Sequence, residues 1–475
     1  MNIRFSAADL ELFAAASHDR NPLHLSAVYA RRAQFGQQVI YGVLGALAVI
    51  ARTPVPEGHR PGKIALEFSR PIFLDTDYQI SEGCLKDGST TLLKSEIEFV
   101  PGDPSSPEIL NDVMRETAAP LTDADLIPNL QRDGAYGPDP LAAQALWQRL
   151  DLDAARWGSL PLAALLWSSY LAGMEIPGER ALYSRLTIRF ESVGSRRGPL
   201  QWKARLKSRN ALNLLRTEFA LSIAGEQAAA GEIGVLLRPA PLAGTNQNFE
   251  RSDQLAGKVA LITGASRGLG ADIARALALR GAKVLVNFQH SRAEAERLRD
   301  ELPDGSIELW QGDASDVDWC QAARARISKL DFLVLNACPT VLPMRAEPAT
   351  AARLTAYAAR ALALASVPLA VFAEAVQTST VLISSAYVES LPKEFPHYVA
   401  AKAGAEAMLR TIARQHRGPT YAIIRPPKLL TDMTNTPYGS GDAVATERVA
   451  SKVAGWLCAA HPAGAVDILD GVTLF

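Results

Sequence analysis

Cysteine is scarce in this chain, and the few residues present are scattered. Cys84, Cys320, Cys338 and Cys458 include no C-x-x-C pair, so they supply neither a zinc ligand set nor a disulfide framework. No uninterrupted apolar run approaches the roughly 18 residues of a membrane span, and the opening segment MNIRFSAADL lacks the apolar core of a signal peptide. We therefore expect no metal site, no membrane association and a soluble protein of the reducing cytoplasm.

An excess of charge of either sign is also missing. Lys and Arg total 49 against 50 for Asp and Glu, a formal net charge of −1, which gives no general attraction to nucleic acid or to an anionic membrane. Apolar residues make up 48% and charged residues 21%, close to ordinary globular usage, so wholesale disorder is excluded. A chain of 475 residues predicts about three domains.

A breaker-rich polar stretch divides the sequence in two. Residues 241–254, with Pro241 and Gly244 among several polar residues, are predicted to form a linker. Beyond it, from residue 255 to 475, short apolar runs alternate with Ala-rich helical segments, which predicts a parallel sheet covered by helices. The apolar runs are Val259–Ile262, Val284–Val286, Phe332–Leu335 and Val381–Ile383.

The N-terminal half contains signs of an internal repeat. Ile64–Ser69 is similar to Leu186–Glu191, Leu92–Ile97 is similar to Leu214–Phe219, and both pairs are 122 residues apart. Two matches at one offset favour duplication, with chance similarity between amphipathic strands as the alternative. Duplication would make residues 1–125 and 126–240 two copies of one α+β module, each with a helix laid against an antiparallel sheet.

The segment SHDRNPLH, residues 17–24, carries the first chemical group. Asp19 and His24 lie five residues apart across an Asn-Pro turn that breaks a helix, so both side chains can converge from a tight loop. A carboxylate and imidazole pair of this kind can orient a water and shuttle a proton. The alternative is that Asp19 caps a turn and His24 is an ordinary loop residue.

The spacing of this segment resembles the signature of MaoC-like, (R)-specific enoyl-thioester hydratases. The matching residues are Asp19, Asn21, Pro22, Leu23, His24 and Ala30. The resemblance implies a hotdog fold, in which a sheet wraps around a long central helix. It also implies that Asp19 and His24 activate the water that is added to, or removed from, the double bond conjugated to the thioester.

The resemblance further implies a backbone N–H near the start of the central helix that polarises the thioester carbonyl, and Gly42 is the expected donor. Two residues depart from the signature: His18 stands where Gly is usual, and Tyr41 precedes Gly42 where His is common. Neither change removes a proton-transfer group.

The second copy of the predicted double hotdog lacks this chemistry. At the offset of 122 it presents Leu141 and Leu146 in place of Asp19 and His24, so we expect it to be non-catalytic. Its apolar segment could hold an acyl chain, and an ordinary core helix is the equal alternative. The residues of that segment are Leu165, Leu166, Trp167 and Tyr170.

A glycine-rich loop follows the first strand of the C-terminal half. In TGASRGLG, residues 263–270, the glycines would let the backbone turn tightly into a helix and bring N–H groups against a pyrophosphate. Asn287 stands where an acidic residue would select NAD, and Arg267 and Arg292 lie in segments that can reach a 2′-phosphate. We therefore expect NADP(H), with solvated surface charges as the alternative for both arginines.

A serine, a tyrosine and a lysine complete the second group. Tyr398 and Lys402 are four residues apart and share one helix face, so the ammonium can lower the phenol pKa and help it donate a proton to a carbonyl. With Ser385 and the glycine-rich loop, they resemble the short-chain dehydrogenase/reductase family, closest to ketoacyl-thioester reductases, over residues 255–475. This resemblance implies an α/β Rossmann-like, doubly wound parallel sheet.

The same resemblance assigns roles. Tyr398 is the expected general acid/base, Lys402 its pKa tuner and ribose anchor, and Ser385 the hydroxyl that orients the carbonyl. The adenine contact would be Asp313, and the nicotinamide carboxamide contact would be Thr431. The expected cofactor-binding residues are Gly264, Ser266, Arg267, Gly268, Leu269, Gly270, Arg292, Asp313, Asn336 and Thr431.

Some positions depart from the short-chain pattern. Cys338 replaces a turn glycine, Pro427 replaces the glycine after Pro426, and there is no Asn between residues 337 and 434. The family usually places an Asn there that holds a proton-relay water. The relay is therefore altered or absent, or this half has drifted into a binding or scaffold role.

Together the two resemblances imply a bifunctional 3-ketoacyl-thioester reductase and 3-hydroxyacyl-thioester dehydratase. The expected cofactor is NADPH, and the expected partner is an acyl thioester on acyl carrier protein or CoA, as in fatty-acid or polyketide biosynthesis. Two alternatives stay open: oxidative use as an enoyl-CoA hydratase and 3-hydroxyacyl-CoA dehydrogenase, and a carrier-binding scaffold with one inactive half. Both families commonly assemble through helix and sheet-edge packing, so we also expect a homodimer.

Overall fold

The computed structural model describes residues 1–104, 107–110, 121–242, 249–437, 439 and 441–471. The chain forms two compact units, one from Met1–Pro241 and one built from Leu242–Asn435 and Gly439–Phe475. The division falls at the start of the predicted linker, of which residues 243–248 lie outside the described residues.

The N-terminal unit is an α+β structure. Its strands are β1 (Asn2–Arg4), β2 (His59–Phe68), β3 (Asp77–Ser81), β4 (Cys84–Asp87), β5 (Thr90–Pro101), β6 (Glu108–Ile109), β7 (Gln131–Tyr136), β8 (Ala181–Phe190), β9 (Arg197–Gly198), β10 (Leu200–Arg209), β11 (Leu214–Ile223) and β12 (Glu226–Leu237). Its helices are α1 (Ala7–Ser17), α2 (Pro22–Leu25), α3 (Ala27–Arg31), α4 (Gly42–Ile50), α5 (Pro140–Leu150), α6 (Ala154–Trp157) and α7 (Ser159–Tyr170), and α7 continues into a π-helical turn, Leu171–Glu175.

One antiparallel sheet of ten strands carries both copies. Its order is β1-β3-β4-β5-β2-β8-β12-β11-β10-β7. Counted outward from the centre, β2, β5, β4, β3 and β1 of the first copy are therefore the counterparts of β8, β12, β11, β10 and β7 of the second. The copies meet at the centre, where β2 pairs with β8 and Ile64 lies opposite Ile188. Helices α4 and α7 are apolar on almost every side and nearly all of their residues are buried, as expected for helices that a sheet encloses.

The sheet confirms one of the two repeat matches and shows that the other is wrong. Strands β2 and β8 are counterparts and start 122 residues apart. Leu92, however, lies in β5 and Leu214 in β11, whereas the counterpart of β5 is β12. The second copy has longer β10 and β11 strands than the β3 and β4 strands of the first copy, so the offset of 122 does not extend beyond that hairpin.

The proposed position of the silent catalytic pair is also corrected. Leu141 and Leu146 lie inside α5, the counterpart of α1, and not after it. In the first copy, residues 18–41 connect α1 to the central helix α4, whereas in the second copy residues 151–158 make the equivalent connection. The shorter segment contains no His and no Asn-Pro turn, which explains why the second copy lacks the loop that carries Asp19 and His24.

The C-terminal unit is α/β. Its strands are β13 (Val259–Ile262), β14 (Lys283–Phe288), β15 (Ile307–Gln311), β16 (Leu330–Leu335), β17 (Val376–Ile383), β18 (Thr420–Ile424), β19 (Leu429–Leu430), β20 (Val444–Ala445) and β21 (Val466–Leu469). Its helices are α8 (Gly268–Ala278), α9 (Arg292–Asp300), α10 (Val317–Arg326), α11 (Ala351–Phe372), α12 (Tyr387–Ser390), α13 (Pro396–Gln415) and α14 (Thr446–Cys458).

Seven of these strands form a parallel sheet in the order β15-β14-β13-β16-β17-β18-β21. Alternate residues of one strand enter different cores: Ala260 and Ile262 pack with α8 and α14, and Leu261 packs with α11 and α13. The strands are therefore buried on both faces, which is why the sequence shows continuous apolar runs. The doubly wound prediction is confirmed.

Among the described residues, one helical stretch, Pro348–Ala375, is long and apolar enough to cross a membrane by length and composition. It includes α11, and Leu369 and Phe372 of this helix are buried in one core of the α/β unit. Core helices of ordinary globular domains pass the same test.

Candidate active sites

The loop after α1 is built by the residues of the Asp-x-Asn-Pro segment. His18 adopts a left-handed conformation, with φ of 60°, and ends α1. The Asn21 side chain accepts a hydrogen bond from Leu23 N at 3.0 Å and caps α2, which begins with Pro22. An Asn cap followed by Pro in the first turn is a favoured helix start, so this short helix fixes the position of His24 relative to Asp19.

Asp19 is a buried carboxyl with two donors. It is 2% exposed, Ser169 Oγ donates to its Oδ2 at 2.7 Å, and Asn21 N donates to its Oδ1 at 3.1 Å. Burial raises the pKa of Asp19 to about 7, although both hydrogen bonds act to lower it. The carboxyl can therefore hold or release a proton near neutral pH.

His24 is held as a neutral imidazole. Its Nδ1 lies 2.7 Å from the Val39 carbonyl oxygen, which can only accept, so Nδ1 carries the hydrogen and Nε2 presents a lone pair. Burial lowers the pKa of His24 to about 4. The His24 ring stacks on Tyr41 with centroids 3.8 Å apart. The Tyr41 hydroxyl donates to the backbone carbonyl oxygen of Asp19 at 2.7 Å, so Tyr41 connects the two residues.

Gly42 is the first residue of α4, as the hydratase resemblance predicts for the central helix. First-turn N–H groups have no acceptor within their own helix, so the Gly42 N–H is suited to an external oxygen. The ring of Phe68 covers this residue: a Cβ on Gly42 would lie 2.9 Å from Phe68 Cδ1. Its role as oxyanion donor stays a prediction.

The second copy contributes to this site through residues that sequence reasoning missed. Ser169, near the end of α7, donates to Asp19, and a Cβ on Gly173 would lie 2.3 Å from Asp19 Oδ1. The only signal was the pair Ser168-Ser169 inside an otherwise apolar helix. Leu165 and Trp167, proposed for an acyl seam, are instead fully buried core residues.

The glycine-rich loop of the α/β unit is tightly packed. Gly264 has a positive φ of 65°, and a Cβ there would lie 2.8 Å from Ala337 Cα. A Cβ on Gly270 would lie 2.5 Å from Asn336 Nδ2, and this amide donates to the Gly264 carbonyl at 2.9 Å. Asn336 thus braces the loop, which leads into the N-terminus of α8. A loop that needs glycine at these points and ends on first-turn N–H groups fits a pyrophosphate.

Asn287 does not occupy the position expected for it. It lies within β14, is 2% exposed, accepts from Gly264 N at 3.3 Å and donates to the Gly312 carbonyl at 3.0 Å. Its amide ties two loops together and does not face a ribose. No acidic side chain stands directly after the strand, where Gln289 and His290 follow.

Other predicted cofactor residues lie in or next to the glycine-rich loop, and they differ in burial and in contacts. Ser266 is half-buried in the loop, and Leu269 packs in the core. A Cβ on Gly268 would contact Thr431 Cγ2 at 3.8 Å. Arg267 pairs with Asp432 at 3.2 Å.

Two predicted cofactor contacts, Arg292 and Asp313, are hydrogen-bonded to other residues of the protein. Arg292 Nη2 donates to Gln311 Oε1 at 2.6 Å, on the surface. Asp313 accepts from Ser315 at 2.9 Å and from Arg360 at 2.6 Å. Burial acts to raise its pKa, but these partners together hold the pKa below the usual range.

Ser385, Tyr398 and Lys402 come together at the end of β17. Lys402 Nζ lies 5.7 Å from the centroid of the Tyr398 ring and donates to the Ile383 carbonyl at 2.7 Å. The Ser385 hydroxyl lies near enough to the Tyr398 phenol to lower its pKa, whereas Ser384 donates to Glu406 at 2.6 Å and is structural. The partners of the two adjacent serines therefore show which one, Ser385, faces Tyr398.

The expected direction of the Tyr398 pKa is wrong for this structure. Burial raises the pKa of the phenol, the neighbouring Cys338 raises it further, and the nearby Ser385 hydroxyl lowers it. Burial prevails, so the phenol stays protonated, as a proton donor must be. Cys338 also lies 4.0 Å from the hydroxyl of Tyr357, a residue of α11 that sequence reasoning did not single out.

The chain has two units of enzyme type. One is an antiparallel sheet with two buried helices and an Asp–His pair, and the other is a doubly wound sheet with a Ser–Tyr–Lys set. Residues 2–90 match the family described as MaoC like domain, and residues 258–438 match the family described as short chain dehydrogenase. The chain therefore contains a MaoC-like domain and a short-chain dehydrogenase/reductase domain, as the two resemblances predicted.

Curated relatives match over shorter segments. Versicolorin reductase stcU of Emericella nidulans is 51% identical over 67 residues, which is 14% of this chain and 25% of the relative. Elsinochrome reductase 1 of Elsinoe fawcettii is 41% identical over 91 residues, 18% of this chain and 34% of the relative. The chain thus spans about a quarter to a third of the length of these relatives.

Solved structures match just under half of this chain. A dehydrogenase/reductase from Sinorhizobium meliloti is 26% identical with a TM-score of 0.42, over 46% of this chain and 96% of that protein. A short chain dehydrogenase from Burkholderia cenocepacia in complex with NADP is 24% identical with a TM-score of 0.41, over 46% of this chain and 98% of that protein.

Proposed function

We propose that this protein reduces a 3-ketoacyl thioester with NADPH and removes water from the resulting 3-hydroxyacyl thioester. One observation carries the proposal: a single chain holds a buried Asp19 with a half-buried His24 in one unit and a Ser385–Tyr398–Lys402 set in the other. The names of the relatives, two reductases, support the reductive direction of fatty-acid or polyketide type biosynthesis. The acyl group would be held on acyl carrier protein or CoA, and the protein would be a homodimer.

In the reductive step the chain's own residues bind the carbonyl and supply a proton. NADPH, when bound along the glycine-rich loop, supplies the hydride to C3. The Ser385 hydroxyl orients the 3-keto oxygen, and the Tyr398 phenol donates its proton to that oxygen as the C–O bond becomes single. Lys402, fixed by the Ile383 carbonyl, places a positive charge beside the ring and stabilises the phenolate that remains.

In the dehydration step a proton and a hydroxyl leave neighbouring carbons. His24 Nε2 takes the C2 proton, and protonated Asp19 gives its proton to the departing 3-hydroxyl, which leaves as water while the C2–C3 double bond forms. The Gly42 N–H stabilises the negative charge that develops on the thioester oxygen. Hydration is the same sequence in reverse.

The pH dependence of this step follows from the two pKa values. The Asp19–His24 pair must hold one proton: below about pH 4 His24 is protonated and cannot accept, and above about pH 7 Asp19 has lost the proton it must give. We expect kcat/KM for hydration of crotonyl-CoA, followed by loss of enoyl absorbance, to be bell-shaped with limbs near these values. A profile that keeps rising to pH 9 would contradict the assignment of Asp19 as the acid.

Replacing Gly173 with Ala tests the contribution of the second copy. The added methyl would overlap the Asp19 carboxyl, which Ser169 and Asn21 hold in place. Because displacement of a catalytic group by about 1 Å can cost about 100-fold, we expect a loss of that order in crotonyl-CoA hydration with NADPH-dependent reduction unchanged. Full hydratase activity in this variant would show that Asp19 does not act from its observed position.

The complete proposal is tested by incubating the protein with NADPH and an acetoacetyl thioester, on CoA and on acyl carrier protein. We expect NADPH absorbance to fall, and mass analysis to show first a hydroxyacyl and then a dehydrated product. Oxidation of a 3-hydroxyacyl-CoA with NAD, without reduction by NADPH, would select the oxidative alternative instead. Binding of carrier protein or NADPH without turnover would select the scaffold alternative.

A further inference from the structure

Tyr183 has a buried hydroxyl that no described residue bonds. It lies in β8, in the copy without the Asp–His pair, and its oxygen is inaccessible to solvent and has no hydrogen-bond partner among the described residues. Ser168 is near enough to lower the pKa of the phenol. Its hydroxyl hydrogen goes to the Leu165 carbonyl at 2.7 Å, so Ser168 could only accept from Tyr183, and no bond of hydrogen-bond geometry joins the two side chains. A buried polar group without a partner costs about 1–3 kcal/mol, so it calls for an explanation.

The surroundings of Tyr183 place it beside the groups proposed for dehydration. Its ring packs edge-on against Phe68 with centroids 5.0 Å apart, and Phe68 is the residue that covers Gly42. The Asp19 charge acts on the phenol, and Ser168 precedes the Ser169 that donates to Asp19. Tyr183 thus lies near both the acid and the start of α4.

The Tyr183 phenol is protonated, as a hydrogen-bond donor must be. Burial and the Asp19 charge raise its pKa, so it keeps its hydrogen throughout the working pH range. A protonated hydroxyl with no partner among the described residues can donate to a bound molecule or to an ordered water. Of the oxygens in an acyl thioester, the carbonyl oxygen is the one that gains negative charge during dehydration, and the Gly42 N–H beside Phe68 is already assigned to it.

We propose that the Tyr183 hydroxyl donates a second hydrogen bond to the thioester carbonyl oxygen of the substrate, beside the Gly42 N–H. This inference rests on the proposed dehydratase function. It gives the copy without the Asp–His pair a direct part in the reaction: β8 supplies half of the oxyanion site. Two donors on one developing oxyanion stabilise it more than either alone, because the charge is greatest in the transition state.

The test compares Tyr183→Phe, which removes only the hydroxyl, with wild type in crotonyl-CoA hydration. We expect kcat to fall about 100-fold, the usual loss for one oxyanion donor, with the limbs of the pH profile unmoved because Asp19 and His24 are intact. Tyr421→Phe is the control: it lies in the other unit of the chain, and its hydroxyl donates to the His416 backbone carbonyl at 2.8 Å, so it loses a tyrosine hydroxyl outside the site. We expect it to hydrate at the wild-type rate.

A spectroscopic readout separates a donor from a structural residue. In the Asp19→Asn background, crotonyl-CoA labelled with carbon-13 at the carbonyl should bind without turnover, and its carbonyl stretch should fall in frequency relative to free crotonyl-CoA. Adding Tyr183→Phe should return part of that shift.

An unchanged rate and an unchanged stretch, with wild-type hydration normal, would overturn the role of Tyr183 and leave the dehydratase proposal standing. If wild type hydrates no thioester, the dehydratase proposal fails. In that case the infrared experiment still tests Tyr183: if the carbonyl stretch of crotonyl-CoA bound to Asp19→Asn does not differ from that of free crotonyl-CoA, the Tyr183 contact is overturned as well.

Discussion

Tyr398→Phe is expected to lower NADPH oxidation with an acetoacetyl thioester by about a thousandfold, within the range of general acid catalysis. Without the phenol, the alkoxide formed by hydride transfer has no proton donor at the position that Tyr398 occupies. Ser385 cannot replace it, because a hydroxyl at its ordinary pKa is a far weaker acid than a phenol. Lys402 cannot replace it either, because its Nζ is fixed on the Ile383 carbonyl and lies 5.7 Å from the ring centroid.

A neighbouring tyrosine provides the control for this prediction. Tyr387 packs edge-on against Tyr398 with centroids 6.2 Å apart, so Tyr387→Phe changes the same surroundings without removing the proposed acid. We expect Tyr387→Phe to stay within a few-fold of wild type, and Tyr398→Phe to bind NADPH with unchanged affinity by fluorescence. More than a tenth of wild-type turnover in Tyr398→Phe would show that another group donates the proton.

Motifs that are local in sequence were predictable from the sequence. Tyr398 and Lys402 lie one helical turn apart whatever else the chain does, and Asp19 and His24 belong to one loop whose Asn-Pro turn fixes its own geometry. The glycine-rich loop follows from the same reasoning, because its residues are consecutive and their conformations are limited by local sterics.

Contacts made across the fold were not predictable in this way. Ser169 reaches Asp19 over 150 residues of sequence, and no periodicity encodes such a pairing. Asn287 was expected to stand at the end of its strand and face the ribose, but the strand extends through Phe288 and turns that side chain inward. The Leu92–Leu214 match was wrong because amphipathic strands share a period of two, so segments from non-equivalent strands look alike.

The two sites use burial for the same end. Asp19 and Tyr398 are both acids whose pKa burial raises, and each is accompanied by a hydroxyl, Ser169 or Ser385, that acts in the opposite direction. Burial favours the protonated form, and the hydroxyl favours the anion that remains after the proton is given. A donor must be protonated before the step and tolerated as an anion after it, and these paired influences meet both requirements.

Asp19→Asn is expected to lower crotonyl-CoA hydration by about a thousandfold, because an amide can neither give nor accept the transferred proton. The amide can keep the hydrogen bond from Asn21 N, and the Ser169 hydroxyl can rotate to accept from the new NH₂ group, so the loop should retain its shape. We expect NADPH-dependent reduction to be unchanged, since Asp19 belongs to the other unit of the chain. A variant that retains more than a few per cent of hydratase activity would remove Asp19 from the mechanism.

The same variant should be more stable than wild type at alkaline pH, which distinguishes lost chemistry from lost folding. The Asp19 pKa is about 7 in the folded protein against 3.8 for an unperturbed aspartic acid, so the folded state binds the proton more tightly. The free energy of unfolding therefore falls as pH rises from about 4 through about 7, at 1.36 kcal/mol per unit of pKa difference, or roughly 4 kcal/mol in total. Asparagine does not titrate and avoids this loss. Thermal unfolding at pH 5 and pH 8 should show the Tm advantage of Asp19→Asn growing with pH, and an advantage that shrinks would mean that Asp19 is not the buried, proton-holding acid of this site.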